Sequence, residues 1–436
     1  MRPSTVRHRI LIATTLVAFL MYLDRTCLAW VLDSDSFTAE MDISEGGKIA
    51  LKGAFFWAYA LAQVPAGWLA ERFGKRVLMT MLIALWSLFT ALGGFSHSLT
   101  LLMLARVGCG LAEAGAYPIS GSLLARWSHV DWRGFASGVV SLGGRLGFCA
   151  APLITSTVIL GLNGFGGHAG WRWACWTYGL LGIGVACLFW TFYRETPAFH
   201  PAVNEAELAL LEEGRPKMES NPAVAQIRGP FPWLALLTDR SIWCMCAFQW
   251  FTNYGWAFSL NSMSTYLKTV RGLPDDQNGR ISSTALAMGL GGLLVGGLAT
   301  DWCTRRYGRR LGRMLPMAVT RFLCAALFLA CLRIENPWIF AVCLGAMTFS
   351  ADSSLPAQWA WAQDVGGRQV APIFGWTNMW GNFGAALQPL INGWVLATFD
   401  THHDWHPSFV ACALAFSLAG AFALGIDADK AVERSN

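Results

Sequence analysis

Twelve stretches of this chain, each long enough to cross a bilayer and dominated by apolar side chains, restrict what it can fold into. A bilayer core needs roughly 20 apolar residues per helix. Only helices or closed barrels satisfy their own backbone polar groups in lipid. The apolar runs predict helices over residues 10–32, 50–70, 77–95, 99–122, 134–160 and 172–193, then 241–267, 281–301, 312–332, 337–358, 372–398 and 407–426. The expected fold class is therefore an all-α integral membrane protein with about twelve transmembrane helices.

Composition closes the other classes. Of 436 residues, 54% are hydrophobic and 14% charged, which suits a chain solvated by lipid and leaves no length for a large soluble domain. The net charge of +5 fits basic cytoplasmic loops. No basic cluster carries the interleaved aromatics of a nucleic-acid surface, so nucleic acid is not an expected partner. The 12 cysteines, Cys109, Cys149, Cys187 and Cys324 among them, lie singly in apolar runs without CxxC spacing and are expected to pack as small apolar residues. His402, His403 and His406 share a loop with Asp404, where solvated side chains are the plain reading, so no metal and no cofactor is assigned. The basic start, Met1 to Arg9, leads into a run that carries Asp24 and Arg25; a secretory signal would carry no such charges, so a retained first helix is expected. No nucleophile and base, metal cluster or phosphate loop points to an enzyme.

The helices fall into six plus six around a polar, proline-containing stretch, Arg194 to Arg240, with Pro197, Pro201, Pro216, Lys217 and Pro222. The expected organisation is a six-helix half at 1–193, a cytoplasmic linker at 194–240 and a second half at 241–436. Lys and Arg collect in cytoplasmic loops. Alternate connections carry Arg72, Lys75 and Arg76, then Arg126 and Arg133, then Arg305, Arg306, Arg309, Arg310 and Arg313, while the others are acidic, mixed or short, as at Asp33, Asp35, Glu40, Asp42 and Glu45. Both termini are thus expected in the cytoplasm, of a multi-pass protein in the cell's inner membrane. The halves echo each other: Gly67 to Arg76 contains Glu71, Arg72, Gly74 and Lys75, and Gly297 to Arg310 contains Asp301, Arg305, Arg306 and Gly308. Two copies at matching places make an internal repeat.

These turns resemble the signature of the major facilitator superfamily, and the resemblance spans essentially the whole chain. It implies a major facilitator fold of two pseudo-symmetric six-helix halves. Tyr22, Asp24 and Arg25 in the first helix, Arg106 to Glu113 with Ala114 and Pro118 in the fourth, and Gly170 to Trp173 entering the sixth are similar to the anion:cation symporter family, which includes sugar-acid transporters for galactonate, glucarate and hexuronates and the sialin group. Asn253, Thr265 to Leu267, Asp364, Asn378 and Pro389 fit the same pattern, while Cys27, Ser264 and Arg145 depart from it.

Ionised side chains inside membrane helices cost about 2.5–3.5 kcal/mol on insertion scales, so each needs a partner or a wet cavity. Asp24 and Arg25 on the first helix, with Arg106 and Glu113 two turns apart on the fourth, bring two acids and two arginines to one half. Arginine stays charged and grips carboxylates through a planar fork, so Arg25 and Arg106 are candidate anchors for an anionic substrate. Carboxylates can change charge, so Asp24 and Glu113 are the candidate proton carriers. The resemblance implies the same division, with Glu113 nearer to substrate and Asp24 to release. Set against this is the reading that the four merely lock two helices as ion pairs. Arg145 on the fifth helix either faces the cavity or snorkels.

Tyr22, Tyr59, Gln249, Asn253, Asn378 and Asn382 supply donors and acceptors for hydroxyl groups, or else bond helix to helix. Asp352 is a spare acid. Trp171, Trp173, Trp302 and Trp338 are interfacial candidates, and Gly143, Gly144, Gly147, Gly291, Gly292, Gly296 and Gly297 allow close helix crossings. The expected function is a proton-coupled symporter, monomeric in the lipid bilayer, importing a small organic anion such as galactonate by alternating access about a site between the halves. The alternatives are a transporter-like receptor that binds an anion and signals, or a facilitator or exchanger.

Overall fold

Apolar runs become helices, and no strand occurs, across the residues described by the computed structural model: 2–213, 231, 233–400 and 403–430. Pro216, Lys217, Pro222 and His402 lie outside the described residues. In chain order the helices are α1 Val6–Leu32, α2 Asp35–Met41, α3 Glu45–Phe73, α4 Lys75–Gly94, α5 Leu99–Glu113, α6 Ala116–Trp127, α7 Arg133–Gly161, α8 Gly170–Phe192 and α9 Glu205–Glu212. They continue with α10 Trp233–Thr238, α11 Arg240–Asn261, α12 Met263–Thr269, α13 Asp275–Cys331, α14 Pro337–Ser353, α15 Leu355–Val365, α16 Val370–Phe399 and α17 His406–Ala423.

Eight helical stretches are long and apolar enough to cross a bilayer. One of them, Gln277–Cys331 with 55 residues, would reach about 80 Å if straight at ~1.5 Å per residue, so it holds two crossings. The chain reverses at Gly308, whose φ of 81° is open to glycine. Beyond the reversal Arg313 Nη1 donates to Thr304 Oγ1 at 2.9 Å. The helices Glu45–Phe73, Arg240–Asn261 and Val370–Phe399 have spanning length with more polar sequences, which completes an account of the twelve expected crossings.

Three of the expected helices are broken. The fourth divides after Glu113, because Pro118 has no N–H for the Ala114 carbonyl and its ring crowds that turn. The tenth divides at Ser354, two residues before Pro356. The seventh ends at Asn261 and resumes at Met263. Apolar periodicity ran unbroken through each join and concealed it.

Large apolar side chains point outward in numbers that water would not tolerate: Leu160 is 78% exposed, Leu180 76%, Leu153 74% and Leu390 71%. These are lipid-facing positions. Trp302 and Trp338 are exposed as interfacial rings would be, but Trp171 is fully buried and corrects that expectation, because its indole N–H donates inward to Glu40 Oε2 at 2.8 Å.

The chain forms two compact units. The first comprises Met1–Val130, Val139–Phe231 and Arg368–Gly375, the second Asp131–Gly138, Pro232–Gly367 and Trp376–Asn436. In the first, α7 lies close against α1, where a Cβ at Gly147 would sit 2.1 Å from the Phe19 carbonyl oxygen. The short helix α9 contributes Glu207, fully buried, which accepts from the backbone N–H groups of Val6 (3.3 Å) and Arg7 (3.0 Å) and so caps α1. In the second unit a Cβ at Gly296 would meet the Ser353 carbonyl at 2.1 Å. Its core joins Phe258, Phe328, Phe340, Phe409 and Phe416.

Candidate functional site

The repeated turns supply different chemistry. In the first unit Glu71 is buried and accepts from Lys75 Nζ at 2.6 Å and from the Ser122 hydroxyl, with Arg126 at 3.8 Å. In the second unit Asp301 accepts from the backbone N–H groups of Gly134 and Phe135, each at 2.8 Å, at the N-terminus of a helix. Beside it Asp364 is gripped by two arginines, Arg133 Nη1 at 2.6 Å and Arg313 Nε at 2.8 Å. Each acid lies 3.8 Å from an arginine, Glu71 from Arg126 and Asp301 from Arg313, but Glu71 adds a lysine and a hydroxyl where Asp301 adds two backbone N–H groups.

The first unit also gathers the membrane charges. Arg25 donates from Nη2 and Nε to Glu113 Oε2 at 3.2 and 3.3 Å. The Glu113 side chain is 1% exposed and that of Arg25 13%, so the pair is shielded from solvent and its attraction is strong. The break after Glu113 places this carboxylate at the end of α5. Around the guanidinium stand the rings of Tyr59 at 4.2 Å, Tyr22 at 5.0 Å and Phe55 at 5.2 Å, an aromatic cage that favours a cation. Tyr22 and Tyr117 are neighbours at 5.8 Å between ring centroids, and both approach the backbone of Gly144. Arg145 is half-buried on the next residue, within electrostatic reach of Tyr117.

The four charges gather in the first unit, within electrostatic reach of one another, but they do not all line one cavity. Successive helical residues diverge by ~100°, so Asp24 and Arg25 face different surroundings. Asp24, 2% exposed, lines a cavity with Arg106, Cys27, Cys109, Cys175 and Trp171, and neither Arg25 nor Glu113 borders it. The guanidinium of Arg106 lies 4.6 Å from the Phe55 ring centroid. Phe55, fully buried, therefore contacts both arginines. Sequence reasoning missed Phe55 because one apolar residue in an apolar helix carries no signal.

The second unit holds the amides. Asn253 Nδ2 donates to the Gln249 carbonyl at 2.8 Å and to Gln249 Oε1 at 3.3 Å. Gly381 leaves room for both side chains. Asn382 Nδ2 donates to the Asn378 carbonyl at 2.8 Å. Gln249 is buried, while Asn253, Asn378 and Asn382 are half-buried. Asp352 is buried within electrostatic reach of Arg321, a fully buried arginine that sequence reasoning passed over. Arg321 Nη2 donates to the carbonyls of Ser350 and Ala351 and to Ser354 Oγ at the α14–α15 break.

The model of the Major Facilitator Superfamily matches residues 14–389. Similar proteins include the "Probable galactarate/D-glucarate transporter GudP" of Bacillus subtilis (strain 168), 28% identical over 408 residues, covering 91% of this chain and 87% of that one. The "Probable L-galactonate transporter" of Escherichia coli (strain K12) is 27% identical over 416 residues, covering 93% and 86%. Among solved structures, the proton:xylose symporter XylE bound to 6-bromo-6-deoxy-D-glucose has a TM-score of 0.70 at 14% identity, with 98% of each chain covered. The human organic anion transporter MFSD10 (TETRAN) has a TM-score of 0.65 at 14% identity, covering 96% of this chain and 100% of that one. These structures share the fold.

Proposed function

The chain belongs to the Major Facilitator Superfamily, and from that premise we propose that it is a proton-coupled symporter importing a small organic anion, a sugar acid of the galactonate or glucarate type. Family and relatives make it a multi-pass membrane transporter and not an enzyme. The observation that carries the proposal is the Arg25–Glu113 pair, an arginine already holding a carboxylate inside a membrane helix bundle. A proton arriving on Glu113 neutralises it and frees the Arg25 fork, and the substrate carboxylate takes the vacated place. Charge is conserved at that locus, so anion and proton enter together. Asp24 is the second proton carrier. Tyr22, Tyr59, Arg106 and Arg145, with Gln249, Asn253, Asn378 and Asn382, bind the rest of the anion.

Residues 1–193 and 241–436 act as the moving halves and 194–240 as the cytoplasmic linker, in alternating access that only a ligand preferring the closed state can drive. The protein works as a monomer in the inner cell membrane with both termini cytoplasmic. Relatives named for galactarate, D-glucarate and L-galactonate support a polyhydroxylated acid. Uptake of labelled galactonate, galactarate and glucarate into proteoliposomes tests the reading. Accumulation of one acid above its external concentration, only under an inward proton gradient, is expected. Binding without uptake would replace it with a receptor, and uptake indifferent to the gradient with a facilitator or exchanger.

A further inference from the structure

The cavity that Asp24 lines lies wholly inside the first unit and is bounded by Cys27, Phe89, Thr90, Gly93, Arg106, Cys109, Trp171 and Cys175 among others. It offers about 30 Å³ to water-sized occupants, and roughly 10–15 Å³ on that measure holds one water. No sugar acid fits. Yet the walls carry polar atoms that are not fully satisfied: the Trp86 indole is the one side chain that approaches the Asp24 carboxylate as a donor, outside close hydrogen-bond geometry, and Nε of Arg106 is buried without a hydrogen bond. Buried groups of this kind are paired by ordered water when the space allows. The charged and titratable groups acting on Asp24 are Arg106, Cys109 and Glu113 from α5, Cys175 and Tyr178 from α8, and Cys27 on its own helix, with the Trp86 indole from α4 beside them.

One wall of the cavity is also part of a latch. Trp171 lines the cavity and donates to Glu40 Oε2. The adjacent Arg172 grips Glu40 Oε1 from Nε at 3.0 Å and Nη2 at 2.8 Å. It also donates from Nη1 to the Gly94 carbonyl at 2.6 Å and lies 3.1 Å from His97 Nδ1. The Glu40 side chain is 37% exposed, so the latch reaches solvent at one end and the cavity at the other. The Phe55 ring lies close to both arginines, 4.6 Å from the Arg106 guanidinium and 5.2 Å from that of Arg25, and is not part of the cavity wall.

We propose that this cavity is a hydrated proton compartment, filled through the Glu40–Trp171–Arg172–His97 latch, that loads Asp24 from within the first unit without passing the Arg25–Glu113 pair. The inference rests on the proton-coupled reading above. It gives the Asp24 proton an entrance separate from the one by which the anion and the Glu113 proton arrive together. Water in the cavity bonds to the carboxylate, and a proton moves along it by transfer between oxygens. Opening of the Glu40 pair admits protons and closing seals them from the opposite side.

Gly93 supplies the test. It is buried, lines the cavity, and a Cβ built there meets no heavy atom within 4 Å. Gly93→Leu fills the compartment from open space. In proteoliposomes, Gly93→Leu is expected to keep substrate counterflow while losing gradient-driven accumulation by about tenfold or more, the size of a lost coupling. As a second measurement, hydroxyl radicals generated from water by brief X-ray pulses oxidise side chains next to bound water, and the oxidation of Cys27, Cys109 and Cys175 is located by mass spectrometry. Glu40→Gln is expected to speed this oxidation several-fold, and Gly93→Leu to suppress it. Wild-type accumulation by Gly93→Leu, or oxidation unchanged in Glu40→Gln, would overturn the inference while leaving proton coupling standing. If Gly93→Leu loses counterflow as well, the oxidation of wild type and Glu40→Gln decides alone. A wild type indifferent to the gradient sinks the proton-coupled reading instead, and the oxidation still reports whether the compartment is wet.

Discussion

Two arginines, Arg321 in the second unit and Arg25 in the first, are held in opposite ways. In the second, Arg321 directs Nη2 at backbone carbonyls freed by the α14–α15 break and at Ser354, so its charge holds a helix junction together. In the first, Arg25 touches one carboxylate and three aromatic rings and bonds no backbone among its recorded contacts. A charge that ties backbone cannot be released without cost to the fold. A charge that faces another side chain can exchange its partner, which is what a transporter of anions needs. The amides of the second unit fall between: Asn253 and Asn382 each donate to their own helix at 2.8 Å, leaving Oδ1 for other work.

The largest effect that would sharpen this contrast falls on Arg321. Arg321→Met strips a buried network of its donor and is expected to cost about 3–5 kcal/mol of stability, seen as a fall in the thermal midpoint of the purified protein. Whatever fraction folds should transport with ordinary coupling. A stable Arg321→Met protein lacking coupling would break the contrast, because it would put Arg321 among the working charges.

Smaller is the effect expected at the amides. If Oδ1 of Asn253 meets a substrate hydroxyl, as proposed above, Asn253→Ala removes about 1–1.5 kcal/mol, or roughly tenfold in KM, with the maximal rate kept. A drop in rate without change in KM would assign Asn253 to helix packing.

The smallest effect concerns the exposed end of the latch. Burial raises the Glu40 carboxyl, but hydrogen bonds from Arg172 and Trp171 outweigh it and hold Glu40 below the usual glutamate range. A depressed carboxylate stabilises the fold above its unfolded value and loses that contribution as pH falls through its folded value. Acid titration of thermal stability should therefore show a small loss below the ordinary glutamate range that is absent in Glu40→Gln. An equal loss in both would mean the Glu40 pair holds nothing.

The sequence already contained most of the fold, for a physical reason: lipid forces every crossing to be a long apolar helix, and the turns at Gly67–Arg76 and Gly297–Arg310 mark the repeat. Helix breaks were less legible, since Pro118 and Pro356 sit inside apolar runs that continue past them. At the site, Glu113 facing Arg25 could be foreseen from charge alone. That Asp24 lines a cavity which Arg25 does not border could not, because it depends on how the neighbouring helices pack around α1. Trp171 shows the same limit: tryptophan near a helix start suggests an interface, and only the approach of Glu40 from α2 reveals an inward bond.

The central claim is that Glu113 exchanges with the substrate carboxylate on Arg25. Proteoliposomes bearing wild type or Glu113→Gln, assayed for accumulation of the preferred sugar acid under an inward proton gradient and for counterflow without one, test it most directly. The account predicts that Glu113→Gln loses accumulation by about 100-fold, or roughly 2.7 kcal/mol of coupling, and retains counterflow, since the neutral amide leaves Arg25 open to the anion. Gradient-driven accumulation by Glu113→Gln at the wild-type level would contradict it.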